Sequence, residues 1–283
     1  MQQQQQQQQR VNHVLRYQEP LLKNVLVKQK QKGYRYSFWK APLQHLSKDD
    51  FVIVQANHFL LVSISSFLAI FISLLIGASF GDMASIGPPN IGVYGILVGL
   101  GHIFPLYIAF NVRTWDYYDV RINPYITLME FVGHQAIGFW SFVVEILAQA
   151  VGATVGGAFA YGVLKDTAPF IAGVSAPVIN TSLGFAFVLE LLSGFFMGFV
   201  YFHNWYHDNT IQMPLTMAYV VGGFTAISFP YIGTTTHNPF RYAAACIVES
   251  TCGGRGWWIY VFGPLAGVIL GFVAHLGTMR INK

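Results

Sequence analysis

Charge is what this chain has least of. Asp, Glu, Lys and Arg make up 10% of its 283 residues, where a soluble protein carries about 25%. That deficit excludes an ordinary water-facing surface. With 54% hydrophobic residues and a mean hydropathy of +0.46, the composition is that of a membrane protein. Cysteine is scarce too. Cys246 and Cys252 are too few for a disulfide framework or a cysteine metal centre. No nucleophile motif or metal-ligand spacing stands out, which makes an intramembrane enzyme the least supported class, and no cofactor is expected. The bases are unevenly placed, with nine of the 16 Lys and Arg before residue 56. This bias reads as a positive-inside signal with cytoplasmic N- and C-termini and not as nucleic-acid binding, although a solvated basic tail fits the same placement. No cleavable signal peptide is expected, because the first long apolar run begins near residue 58.

What is present falls into three parts. Residues 1–55 are a poly-Gln and basic tail, expected to be largely disordered; within it Phe38, Trp39, Leu43 and Leu46 could form one face of an interfacial helix. Residues 56–278 form the membrane domain, and 279–283 a short C-terminal tail. Six apolar stretches approach the ~20 residues that cross a bilayer as a helix: Phe59–Phe80, Gly92–Phe110, Ile137–Leu164, Gly184–Phe202, Met213–Pro230 and Trp257–Thr278. Pro105 predicts a kink in the second. Two segments, Asn123–Gln135 and Asn238–Ser250, are too short to span. Each opens with Asn-Pro, an N-cap followed by the residue favoured in the first helical turn. They read as re-entrant half-helices, which a membrane tolerates only against protein or a cavity.

These segments repeat. Asn123 and Asn238 are 115 apart, as are Pro124 and Pro239, Tyr125 and Phe240, Gly152 and Gly267, and Gly156 and Gly271. The GxxxG spacing in both later spans suits close helix contact. Repeat one covers 57–164 and repeat two 183–278. Three spans per repeat turn the second upside down, so the half-helices meet near the midplane. The fold class is therefore an all-α membrane protein of six transmembrane helices plus two half-helices. Two half-helix N-termini aim positive dipole ends at one point. The Asn123 and Asn238 amides add donors there. Arg241 adds a fixed charge, and an intramembrane Arg is costly enough to suggest function. The carbonyls of Gly233, Thr234, Thr235, Thr236 and His237 could form an acceptor ladder.

The motifs INPYITL, AQAVGATVGG and FGPLAGVILG, with NPY at 123–125 and NPF at 238–240 followed by Arg241, resemble the major intrinsic protein family of aquaporins and aquaglyceroporins. The resemblance covers about residues 57–278. It implies a passive channel for water, with small neutral solutes as an open alternative, in a homotetramer with one pore per subunit. The membrane would be the plasma membrane or an internal one. Pro124, Tyr125, Pro239 and Phe240 would form the pore centre with the two Asn. The selectivity positions would be Arg241, Thr235, Ala226 by ungapped count, and Ile103 or Phe104. Glu190 and Gln149 match the family's bracing positions. The family's span-one Glu is missing, and Glu145 is expected either to take over its role or to be a Glu near the polar interface. Ala is replaced in both boxes, so Tyr125 and Phe240 are expected to widen, shift or plug the centre. A weakly conducting structural member therefore stays as an alternative, and so does a secondary transporter, which also uses inverted repeats and broken helices. His203, His207 and His237 are candidates for pH-dependent gating, against ordinary loop or pore-border histidines. Asn180 opens a glycosylation sequon.

Overall fold

The computed structural model describes residues 48–85, 88–111, 113–114, 118–133, 137–164, 181–206, 212–232, 235, 237–249 and 256–281. The poly-Gln tail, the interfacial segment, Asn180, His207, Gly233, Thr234 and Thr236 lie outside them, as does the side chain of Phe104. Eight helices occur among the described residues. They are α1 (Lys48–Ser85), α2 (Pro88–Asn111), α3 (Pro124–Val132), α4 (Phe139–Leu164), α5 (Leu183–Tyr206), α6 (Gln212–Ile232), α7 (Pro239–Glu249) and α8 (Trp257–Ile281). A two-residue antiparallel ladder, β1 (Arg113–Thr114) with β2 (Tyr118–Asp119), joins α2 to the lead-in of α3.

Five helices contain a stretch long and apolar enough to cross a bilayer, and α2 carries a shorter one, Ile91–Ile103. Two boundaries differ from expectation. Residues 48–55 belong to α1 and not to the tail, and α2 opens at Pro88, ahead of the expected Gly92. Pro needs no N–H in a first turn, so it starts a helix as readily as it ends one. α2 also continues as helix past Pro105.

The packing has the symmetry of an inverted repeat. Within each repeat the first long helix packs on the last: α1 on α4, and α5 on α8. α2 and α6 pack on each other. Each half-helix also touches the last helix of the opposite repeat, α3 on α8 and α7 on α4. Polarity is inside out. Ile96 and Tyr219 are 61% and 68% exposed, while Glu145, Gln149 and Glu190 are fully buried. That distribution suits lipid outside and a polar interior.

Glycine allows the close approach. A methyl on Gly156 of α4 would stand 2.7 Å from the Phe67 carbonyl of α1, and one on Gly267 of α8 would run into the Leu191 carbonyl of α5. Both contacts would be lost to any side chain. We expect Gly267→Leu to lower stability by about 1–3 kcal/mol through overpacking. Thermal unfolding in detergent measures this, and an unchanged midpoint would argue against the tight α5–α8 contact.

Candidate functional site

The two Asn-Pro boxes meet through their amides. Asn123 stands extended ahead of α3 and accepts the Tyr125 N–H at 2.9 Å. Asn238 accepts the Phe240 N–H at 2.9 Å in the same way. Each thus satisfies one of the donors that a helix N-terminus leaves open. The other end of each amide crosses to the opposite repeat. Asn123 Nδ2 donates to the His237 carbonyl at 2.8 Å, and Asn238 Nδ2 to the Ile122 carbonyl at 2.7 Å. Asn123 Nδ2 also lies 3.3 Å from Met197 Sδ. The sequence suggested two amides available as donors; one hydrogen of each is already committed to backbone.

Beside this pair lies a cavity of about 80 Å³ lined by both Asn residues. At about 15 Å³ of this space per water, it holds roughly five. One wall comes from Val98, His102 and Leu106 of α2, another from Met217, Val221 and Thr225 of α6. Both sets recur every four residues, one face of a helix. The helices run antiparallel, since Gly95 abuts Ala226 while Gly99 abuts Ala218.

Two expected wall positions therefore need correction. Ala226 packs on Gly95, and Ala226 and Ile103 both face an apolar groove between α2 and α6. Thr225 and His102, each one residue earlier, stand on the cavity wall. A count carried across a loop errs easily by one, and one residue turns a helix by about 100°.

Tyr125 and Phe240 are not wall residues either. Tyr125 is buried and donates its hydroxyl to the Val261 carbonyl of α8 at 2.6 Å. Phe240 packs against the cluster of Ile70, Leu74 and Ala153. Each ring is spent on the opposite repeat, not on the bore. Pro124 is buried at the first turn of α3, and Pro239 opens α7 half-buried.

On the second-repeat side, Arg241 Nη1 donates to the Thr235 carbonyl at 3.4 Å. Thr235 Oγ1 lies 3.4 Å from Thr225 Oγ1 and 2.6 Å from His237 Nε2. His237 Nδ1 is hydrogen-bonded to Ser193 Oγ. Of the proposed carbonyl ladder, Thr235 and His237 are described, and each of their carbonyls receives a side-chain donor. His102 Nδ1 bonds the Val98 carbonyl at 2.7 Å, so the neutral ring donates there and keeps Nε2 as an acceptor. His203 does not line the cavity; it stacks on Phe199, with ring centroids 5.6 Å apart.

The first half-helix is held by a buried charge cluster. Thr127 Oγ1 of α3 donates to Glu145 Oε1 at 2.8 Å. Gln149 Nε2 donates to Thr127 Oγ1 at 2.9 Å and to the Arg121 carbonyl at 3.0 Å. Arg121 Nη1 donates to Glu145 Oε2 at 3.3 Å, and His58 Nε2 lies 3.1 Å from the same oxygen. Glu130 Oε2 is 4.0 Å from Arg121 Nη2. Sequence reasoning missed His58, Arg121 and Glu130. The signal was there: Arg121 is two residues before Asn123, and Glu130 is a carboxylate within an apolar half-helix. Around the second half-helix, Glu190 is buried on α5 against Gly263 of α8, and Tyr242 stacks on Tyr260 at 5.2 Å. We expect Glu145→Gln to lower stability by about 3 kcal/mol, because it leaves a buried guanidinium short of one carboxylate. A variant that unfolds at the wild-type temperature would remove Glu145 from the support of α3.

Comparison with known proteins bears on the family and the fold. Rat Aquaporin-6 is 28% identical over 180 residues, 61% of this chain and 64% of its own length. Human Aquaporin-5 is 30% identical over 173 residues, 58% and 62%. Mouse Aquaporin-4 is 27% identical over 214 residues, 73% and 63%. These matches span a little under two thirds of each relative. Among solved structures, the aquaglyceroporin from Plasmodium falciparum superposes with a TM-score of 0.56 at 18% identity, covering 75% of this chain and 94% of that one; it shares the fold. Residues 55–275 match the sequence family described as Major intrinsic protein. The chain belongs to the major intrinsic protein family.

Proposed function

We propose that the chain is a passive transmembrane pore for water that also admits small neutral solutes and holds back protons and ions. The observation that carries this reading is the cavity lined by Asn123, Asn238, Thr235, His237 and Arg241 where two half-helix N-termini meet. Water both donates and accepts, and this wall offers both. A cation is opposed by the positive ends of the two half-helices and by Arg241, the recognised barrier of aquaporin-type pores. Catalysis has no place in this reading.

The selectivity end is built from Arg241, Thr235 and Thr225. Thr225 gives that end a hydroxyl where Ala226 would have given a methyl. The rest of the wall is largely alkyl, with Val98, Leu106, Val221 and Met217. That mixture also suits glycerol, urea or peroxide, which is the second reading. A plugged, structural role had rested on Tyr125 and Phe240, and both rings stand off the wall. The Glu145 cluster and Glu190 serve to hold the half-helix tips in register. The inward Lys and Arg bias supports cytoplasmic termini, and the family resemblance supports a homotetramer in a plasma or internal membrane.

Stopped-flow light scattering on proteoliposomes tests the function. A sorbitol gradient should drive shrinkage clearly faster than in protein-free vesicles; equal rates would end the channel reading. Under a glycerol gradient, we expect Thr225→Ala to raise the glycerol-to-water permeability ratio about fivefold, the factor given by a barrier change of about 1 kcal/mol. Ile103→Ala, off the wall, should leave the ratio where it was. The opposite ranking would return the selectivity end to the register of Ile103 and Ala226.

A further inference from the structure

Arg241 is not the only arginine on the cavity wall. Arg121 lines the same cavity from the extended lead-in to α3, while Arg241 lines it from α7. The two lead-ins enter from opposite repeats and meet at the paired Asn amides, so the two arginines flank that pair. They are not symmetry mates. The 115-residue offset carries Arg121 to Thr236, and carries Ile126 to Arg241. Arg121 is thus a separate feature of the first repeat.

Its surroundings explain how it is kept there. Glu145 Oε2 accepts from Nη1 at 3.3 Å and Glu130 Oε2 lies 4.0 Å from Nη2. Glu145 is in turn fixed by Thr127 and His58, and the Arg121 carbonyl by Gln149. Every one of these residues is buried. None of His58, Glu130, Glu145 or Gln149 lines the cavity, whereas Arg121 does. The Arg121 side chain keeps 4% of its surface accessible, against 1% for Glu130 and 0% for Glu145, so from the cavity the carboxylates stand behind Arg121. Near it the wall is mostly apolar, with Ile122, Ile126, Leu106 and Met217, and Tyr201 lines the same cavity. A long cationic side chain held near Glu145 and Glu130 through its two Nη atoms brings a fixed charge to that part of the wall. Pore diameter and lining charge are what set selectivity in such a channel.

We propose that Arg121 is a second specificity-determining residue of the pore, a constriction on the first-repeat side of the Asn pair, with Glu145 as its positioning residue. This rests on the reading of the chain as a water pore. It acts on solutes larger than water: glycerol and urea must pass the guanidinium, while water fits beside it.

The test uses full-length protein in proteoliposomes, with sorbitol, urea and glycerol gradients. Removing Arg121 alone leaves Glu145, the nearer carboxylate, without its cation, so Arg121→Ala is paired with Glu145→Gln, and Arg121→Lys and Glu145→Gln are measured beside it. Circular dichroism and size exclusion check that each is folded. We expect the double variant to raise the glycerol-to-water ratio about tenfold, the factor that a barrier lower by about 1.4 kcal/mol gives. Arg121→Lys, which keeps the charge on a slimmer head, should fall between the double variant and wild type. A purely structural role would lower all fluxes together and leave the ratio fixed. Wild-type water flux with an unchanged ratio in both the double variant and Arg121→Lys overturns this proposal alone. No flux in wild type or any variant overturns both it and the pore reading.

Discussion

Two crossed hydrogen bonds govern this structure: Asn123 to the His237 carbonyl and Asn238 to the Ile122 carbonyl. Inside a bilayer a backbone group without a partner costs several kcal/mol, so helices are normally unbroken there. This fold breaks two of them at their tips and must satisfy the ends. Each Asn does so twice, taking up an N–H of its own half-helix and donating to the lead-in of the other. Neither half-helix is capped independently of its mate. The half-helices are nine and 11 residues long, roughly 14 and 17 Å at 1.5 Å per residue. End to end they match a hydrocarbon core of ~30 Å.

The tie requires the surrounding helices to deliver both tips to one point, and small residues make that possible. Glycines at Gly152 and Gly156 on α4, and Gly267 and Gly271 on α8, let the last helix of each repeat seat against the first. Each last helix then supports the half-helix of the opposite repeat. Tyr125 and Phe240 belong to this support. Where a small residue would leave a gap, their rings fill the space toward α8 and toward α1 and α4. Bulk at the box was absorbed by packing and not by the cavity.

That outcome explains what was legible beforehand. The repeat, the two Asn-Pro caps, the inward Arg241 and the helix order follow from periodicity and from one constant offset, because these features are local or exact. Thr225 and His102 were not legible. Their neighbours Ala226 and Ile103 are equally plausible by composition, and only the rotation of α2 and α6 decides which residue faces inward. The orientations of Tyr125 and Phe240 depended on space available in the other repeat, which no pattern in either segment encodes. The Arg121, Glu145, Glu130 and His58 cluster is assembled from α1, α4 and the α3 region, so its members are far apart in sequence. Of these four, only Glu145 stood out in the sequence, and not as a partner of the others.

The two halves share a frame and differ in how they hold it. On the first side the lead-in is fixed by ions, through Arg121 and Glu145. On the second it is fixed by hydrogen bonds around His237, with Arg241 donating to the Thr235 carbonyl. That residue adopts φ 48°, a left-handed conformation uncommon for a side chain with a Cβ. Such a conformation costs of order 1–3 kcal/mol and persists only when its surroundings over-determine it. Here they do. One ring nitrogen is bonded to Ser193 and the other to Thr235, and the carbonyl receives Asn123. The strained turn aims that carbonyl across the midplane at the Asn of the other repeat. Without it the crossed pair could not close, so the conformation of one histidine and the seating of the first half-helix are a single constraint.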